Sequence, residues 1–204
     1  MHRATWLATV VVLVAIVYAR PAAAQSGEPL FEVGGHLATA FSGEFDETDV
    51  GVGGRLSWHP TSRLGLEGEL TIYPGDLGEQ IAFSGGRLEG LFGATFGPRL
   101  GRVRPFAKLR PGFLRFQEAP EPIACILIFP PPLNCALAAG QTMFALDIGG
   151  GVEWFASDAT FLRVDVGDRA VRYPSPVIDS NRDVRDSSFF GHDFRFTIGG
   201  GLRF

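Results

Sequence analysis

Ser57 and His59 are spaced for chemistry, because a hydroxyl two residues from an imidazole shares one strand face with it, as a nucleophile and its general base must. The pair lies beside a short turn, and a polar pair at a strand end is the simpler reading. His192 and Asp193 follow Ser187 and Ser188, but no recognisable catalytic spacing joins them. His2 and His36 are scattered. Asp46, Glu47 and Asp49 form an acidic stretch that could hold a hard divalent cation on carboxylate oxygens, but solvated loop charge is the simpler reading. Gly149-Gly150-Gly151 and Gly199-Gly200-Gly201 each interrupt an alternating segment with no helix after it, so neither is a phosphate loop; strand curvature and room for long side chains account for them better. No catalytic, cofactor-binding or metal-ligating set is expected, and the chain reads as a non-enzyme.

The elements that would position these residues are strands. From Phe194 to Phe204 the side chains alternate strictly: Phe194, Phe196, Ile198, Gly200, Leu202 and Phe204 share one face, and Arg195, Thr197, Gly199, Gly201 and Arg203 the other. Seven earlier segments repeat the pattern between turn signals. The first spans about 30–41. The second sets Val50, Val52, Leu56 and Trp58 against Arg55, Ser57 and His59. In the third, Leu64, Leu66, Leu70 and Ile72 oppose Glu67, Glu69 and Thr71, and in the fourth Leu88, Phe92, Ala94 and Phe96 oppose Arg87, Glu89 and Thr95. The fifth, about 103–116, places Ala107 and Leu109 against Lys108 and Arg110; Pro111 cannot donate to a ladder, so a bulge or the end of regular pairing is expected there. The sixth opposes Phe144, Leu146, Ile148, Val152 and Trp154 to Asp147 and Glu153, and the seventh opposes Leu162, Val164 and Val166 to Arg163 and Asp165.

Residues 1–24 carry a basic start, an apolar run from Trp6 to Ala19 and Ala22-Ala23-Ala24 before Gln25, the anatomy of a cleaved signal peptide. The apolar run falls short of the roughly 18 to 20 residues of a spanning helix, and no later run reaches that length, so any membrane embedding falls to strands. Residues 25–204 suit one domain. Removing Arg3 and Arg20 from the 18 Lys and Arg leaves 16, against 22 Asp and Glu, a formal charge of −6. An acidic exported domain lacks the basic patch of a nucleic-acid binder. Cys125 and Cys135, an even pair in an exported chain, are expected to form a disulfide that closes a small ring and contributes about 2.5 to 3 kcal/mol in the chain-entropy model.

Alternation alone does not say which face is inside. The polar faces are nearly balanced, with Arg55, Arg87, Lys108, Arg110, Arg163, Arg195 and Arg203 against Glu32, Glu67, Glu69, Glu89, Asp147, Glu153 and Asp165. Their many glycines suit a crowded lumen. The apolar faces place Phe31, Trp58, Phe96, Trp154 and Phe204 at one level and Phe41, Tyr73, Phe83 and Phe144 towards the other, as two interfacial girdles require. Connections near Pro60, at 97–102 and at 155–159 are short, whereas those at 42–49, 74–81, 117–140 and 168–190 are longer.

This pattern resembles that of small bacterial outer-membrane β-barrel proteins of the OmpA/OmpX-like kind, including a final aromatic strand in which Phe196, Ile198, Leu202 and Phe204 match the assembly signal. The resemblance covers essentially residues 25–204 and implies an all-β fold: an eight-stranded antiparallel up-and-down transmembrane β-barrel. It further implies residence in the outer membrane with both termini periplasmic, contact with outer-membrane lipids, and help from periplasmic chaperones and the barrel assembly machinery. A monomer with an envelope structural or surface-interaction role is expected, with no nucleic acid and no cofactor. The alternatives are a lipid-modifying barrel enzyme or a soluble exported ligand-binding barrel. Ser57 and His59 stand in the reverse order to that of lipid A deacylases, and His192 sits where palmitoyltransferase-like barrels keep surface residues but without their spacing.

An eight-stranded barrel is just wide enough for side chains to fill, so the fourteen charges must pair and plug it. The remaining unusual segment is the third long connection. Ile126, Leu127, Ile128 and Phe129 make it apolar, either as a surface-interaction loop or as a cap folded over the barrel mouth.

Overall fold

The computed structural model describes residues 31–75, 86–118, 128–179 and 181–204. The signal segment and the loop residues Ile126 and Leu127 lie outside these. The chain forms β1 (Phe31–Ser42), β2 (Glu47–Trp58), β3 (Leu64–Tyr73), β4 (Arg87–Phe96), β5 (Val103–Phe116), the short helix α1 (Leu133–Ala138), β6 (Thr142–Phe155), β7 (Thr160–Tyr173), the two-residue strands β8 (Val177–Ile178) and β9 (Val184–Arg185), and β10 (Phe189–Arg203). β1 to β7 pair with their chain neighbours, and β10 closes the ring between β7 and β1. All pairs are antiparallel. At the seam Phe31 and Phe204 exchange backbone hydrogen bonds of 3.0 Å, and closure leaves the barrel sheet without a free edge.

The period-2 alternation resolves into an inverted barrel. Leu37, Val52, Leu70, Phe92, Ile148 and Ile198 are about half exposed on the outer wall, while Glu67, Glu89, Arg110, Asp147 and Arg195 are fully buried inside. Phe31, Trp58, Phe96, Trp154 and Phe204 face outward at the end that carries the short turns. At the other end Phe41 and Phe144 face outward, but Tyr73 is wholly buried, contrary to its expected place in the outer girdle. Its parity is the reason, since it continues the inward series Glu67, Glu69, Thr71. Phe83 lies outside the described residues.

Three boundaries differ from expectation. β2 begins at Glu47, which leaves only residues 43–46 between β1 and β2, so the loop asymmetry rests on the three long connections at 74–86, 117–141 and 174–188. β7 and β10 run seven and five residues farther than the alternation suggests, because Asp168, Arg172 and His192 continue the outward face as polar residues. At Pro111 there is no bulge. The β4–β5 ladder skips the positions of Phe92 and Gly93 and resumes in the same register, so Phe113 faces out and Leu114 and Phe116 face in.

Glycines make the narrow lumen possible. A Cβ on Gly53 would lie 2.6 Å from the His36 ring, and one on Gly167 would lie 2.6 Å from Asp147 Oδ1. The Gly199–Gly201 run lies against His36, Gly35 and Gly34, where bulk would collide with the neighbouring backbone. Towards the long-loop end the lumen turns apolar: Phe45, Leu91, Leu114, Phe116, Met143, Val171 and Tyr173 cluster there. Leu133 and Leu137 of α1 join that cluster, so this part of the third long connection folds inward, while Ile128 and Phe129 stay exposed.

Candidate functional site

The lumen is the chemically dense part of the molecule, and strand register builds it. Pairing sets Glu32 opposite Arg203, Arg55 opposite Glu69, Arg104 opposite Glu153, Arg110 opposite Asp147 and Arg169 opposite Asp193. Opposite charges thus face each other on one side of the sheet, the stabilising cross-strand arrangement.

Three tiers follow from the short-turn end outward. In the first, Arg203 Nε donates to Glu32 Oε1 at 2.7 Å, and Arg104 donates to Glu153 at 3.0 Å and to Thr95 Oγ1 at 3.2 Å. In the second, Arg163 spans Glu67 (2.7 Å), Glu153 and Asp165 (both 3.0 Å), and Arg110 reaches Glu67, Glu69 and Asp147, each at 2.9 Å. Lys108 bridges Asp165 (2.5 Å) and Asp147 (3.0 Å), while Arg55 holds Glu69 at 2.8 Å. In the third, Arg195 contacts Glu69 and lies 2.9 Å from Glu89, and Arg169 joins Glu89 (2.5 Å) to Asp193 (2.7 Å). Arg87 ends the series on Asp49 at 2.6 Å. The Arg163 guanidinium also stacks 4.2 Å over the Phe106 ring.

All fourteen charged residues expected on the inward faces are buried: Glu32, Arg55, Glu67, Glu69, Arg87, Glu89, Lys108, Arg110, Asp147, Glu153, Arg163, Asp165, Arg195 and Arg203. The structure adds Arg104, Arg169, Asp193 and Asp49, and it buries His36 on the same face of β1 as Glu32, where alternation puts it. Arg104 and Asp49 obey the same parity as their neighbours, which was the available signal; Arg169 and Asp193 lie on the unrecognised extensions of β7 and β10. His36 contacts Thr71 Oγ1 at 2.9 Å.

The residues considered for chemistry are not assembled for it. Ser57 and His59 are both buried at the short-turn end, but His59 Nε2 lies 2.8 Å from Arg104 Nη1. His192 and Asp193 point to opposite faces: Asp193 enters the lumen, whereas His192 lies outside, its Nδ1 2.7 Å from the equally exposed Asp168. Ser188 accepts from Arg172 at 3.0 Å. Glu32, His59 and Glu153 bring potential metal-ligand atoms within 4.8 Å of one another, but Arg203 and Arg104 already hold the two carboxylates, so a cation would have to displace two guanidinium groups. Of the acidic stretch, Asp49 is inward and paired, which leaves no three-carboxylate loop. Cys135 lies in α1, and Cys125 falls outside the described residues.

On the long-loop side, β8 and β9 form a small hairpin held by Asp179. Burial pushes the Asp179 carboxyl up, but the Asp183 N–H at 2.8 Å and the Arg185 guanidinium at 2.7 Å outweigh it and hold the group below the usual carboxylate range.

A closed eight-stranded barrel with a charged interior and an apolar outer wall defines the outer-membrane barrel class. Solved members of that class superpose on it. Neisserial surface protein A matches with a TM-score of 0.57 at 13% identity, covering 85% of this chain and 97% of the other. OprG from Pseudomonas aeruginosa matches with a TM-score of 0.52 at 13% identity, covering 86% and 96%. At such identity the likeness is one of fold. No family model and no curated protein matches the sequence.

Proposed function

We propose that this protein is an integral, non-enzymatic outer-membrane barrel with a plugged lumen, serving envelope structure or surface interaction. The observation that carries this reading is the buried ion-pair network, which engages opposite walls of the barrel and lies beneath an apolar cap. A solute path would have to break several of these pairs at once, and each broken buried pair costs about 3–5 kcal/mol. The signal segment 1–24 is removed on export, and the barrel assembly machinery reads Phe196, Ile198, Leu202 and Phe204. Both termini then face the periplasm, and the long connections, with a Cys125–Cys135 disulfide in the third, face outward. Ile126, Leu127, Ile128 and Phe129 form the surface-interaction element on this reading, and the exposure of Ile128 and Phe129 supports it. Purified protein in a planar bilayer should give no stable single-channel steps; a large, stable conductance would contradict the plug.

A further inference from the structure

One stretch of the outer wall is concave. Gly54 on β2 and Gly68 on β3 alternate with buried Arg55, Glu67 and Glu69 and therefore face outward, leaving the floor of a groove walled by Leu56, Leu70, Phe92 and Phe113. Its volume is about 720 Å³, within the range of roughly 300–1,000 Å³ typical of small-molecule sites. The floor is open: a Cβ on Gly54 would meet nothing nearer than Gly34 O at 3.7 Å, and one on Gly68 nothing nearer than Phe92 Cδ2 at 3.9 Å. Gly90 differs, because the Phe113 ring lies over it and closes that side.

Arg115 stands at the long-loop end of the groove. It is exposed, follows Phe113 by two residues on the same face of β5, and pairs across the ladder with Leu88 of the groove lining. Unlike the lumen arginines, its guanidinium has no ion pair or hydrogen bond among the described residues. An unpaired cation at the headgroup end of an apolar groove is complementary to an amphiphile that carries phosphate above an acyl chain.

From this we infer that the β2–β5 wall is a binding site for a phosphorylated acyl lipid of the outer leaflet, lipid A, with one acyl chain seated over Gly54 and Gly68 and a phosphate on Arg115. The inference rests on the outer-membrane placement proposed above, with the long connections at the cell surface. Two variants test its two ends. Gly54→Leu with Gly68→Leu fills the floor with apolar side chains where space exists, and Arg115→Gln removes the charge.

Detergent-purified full barrel, its insertion checked by heat-dependent mobility, is mixed separately with lipid A, phosphatidylglycerol and phosphatidylcholine and examined by native mass spectrometry. The wild type should retain one lipid A and little phosphatidylcholine, and each variant should lose at least tenfold of that retention. Unchanged retention in either variant, equal retention of phosphatidylcholine, or preference for phosphatidylglycerol over lipid A would each overturn the site. A sample without heat-dependent mobility would instead count against the barrel reading itself.

Discussion

Arg110 shows how each lumen side chain is constrained. Its guanidinium serves Glu67, Glu69 and Asp147 together, so truncation strands several carboxylates in a closed space. Arg110→Ala is expected to destabilise the barrel by about 3–5 kcal/mol, measured as a lowered urea midpoint for loss of heat-dependent mobility. Inward parity makes these charges legible before any geometry, since alternation and sign balance alone mark fourteen of them. Tyr73 has the ring of a girdle aromatic but the parity of a lumen residue, and its phenol lies inward among Arg195 and Glu89. Ser57 and His59 were rightly placed on one inward face, but only the fold reveals Arg104 against the imidazole.

At the scale of elements, the strands were legible wherever apolar and polar residues alternated, and their ends were not. β7 and β10 continue beyond the apolar band with Asp168, Arg172 and His192 facing out, so hydropathy fades while pairing persists. That concealed Arg169 and Asp193. Pro111 was expected to disturb β5 more than it does, since its missing N–H costs only a local gap in the β4 ladder while pairing to β6 is kept. α1 was invisible because six residues carry no helical period, yet it supplies Leu133 and Leu137 to the cap. Leu137→Ala should therefore cost about 2–5 kcal/mol, read from unfolding midpoints.

The β8–β9 hairpin gives an independent test. Because the Asp179 carboxyl is held below its ordinary value, its stabilisation is present above an unfolded pKa of roughly 4 and is lost as pH falls through the lower folded value. Asp179→Asn mimics that loss at neutral pH and should speed tryptic cleavage after Arg182 and Arg185; an unchanged rate would remove the hairpin's staple from the account.

At the scale of the molecule, inversion is the organising fact. A protein that buries arginines and exposes leucines is stable only where the surroundings are apolar, so the outer wall specifies a bilayer as firmly as the lumen specifies ion pairing. The eight-strand count and the two-faced character of each strand are legible in repetition along the chain, whereas the antiparallel closure and the choice of inner face follow from the resemblance to small outer-membrane barrels. What the third connection leaves accessible could not be anticipated, because its described apolar residues divide, with Leu133 and Leu137 in the cap and Ile128 and Phe129 at the surface. The most direct measurement is electrophoresis of detergent-extracted outer membranes with and without boiling. A closed membrane barrel predicts recovery in that fraction and a band whose mobility shifts on heating. Recovery in the soluble fraction, with identical mobility before and after boiling, would contradict it.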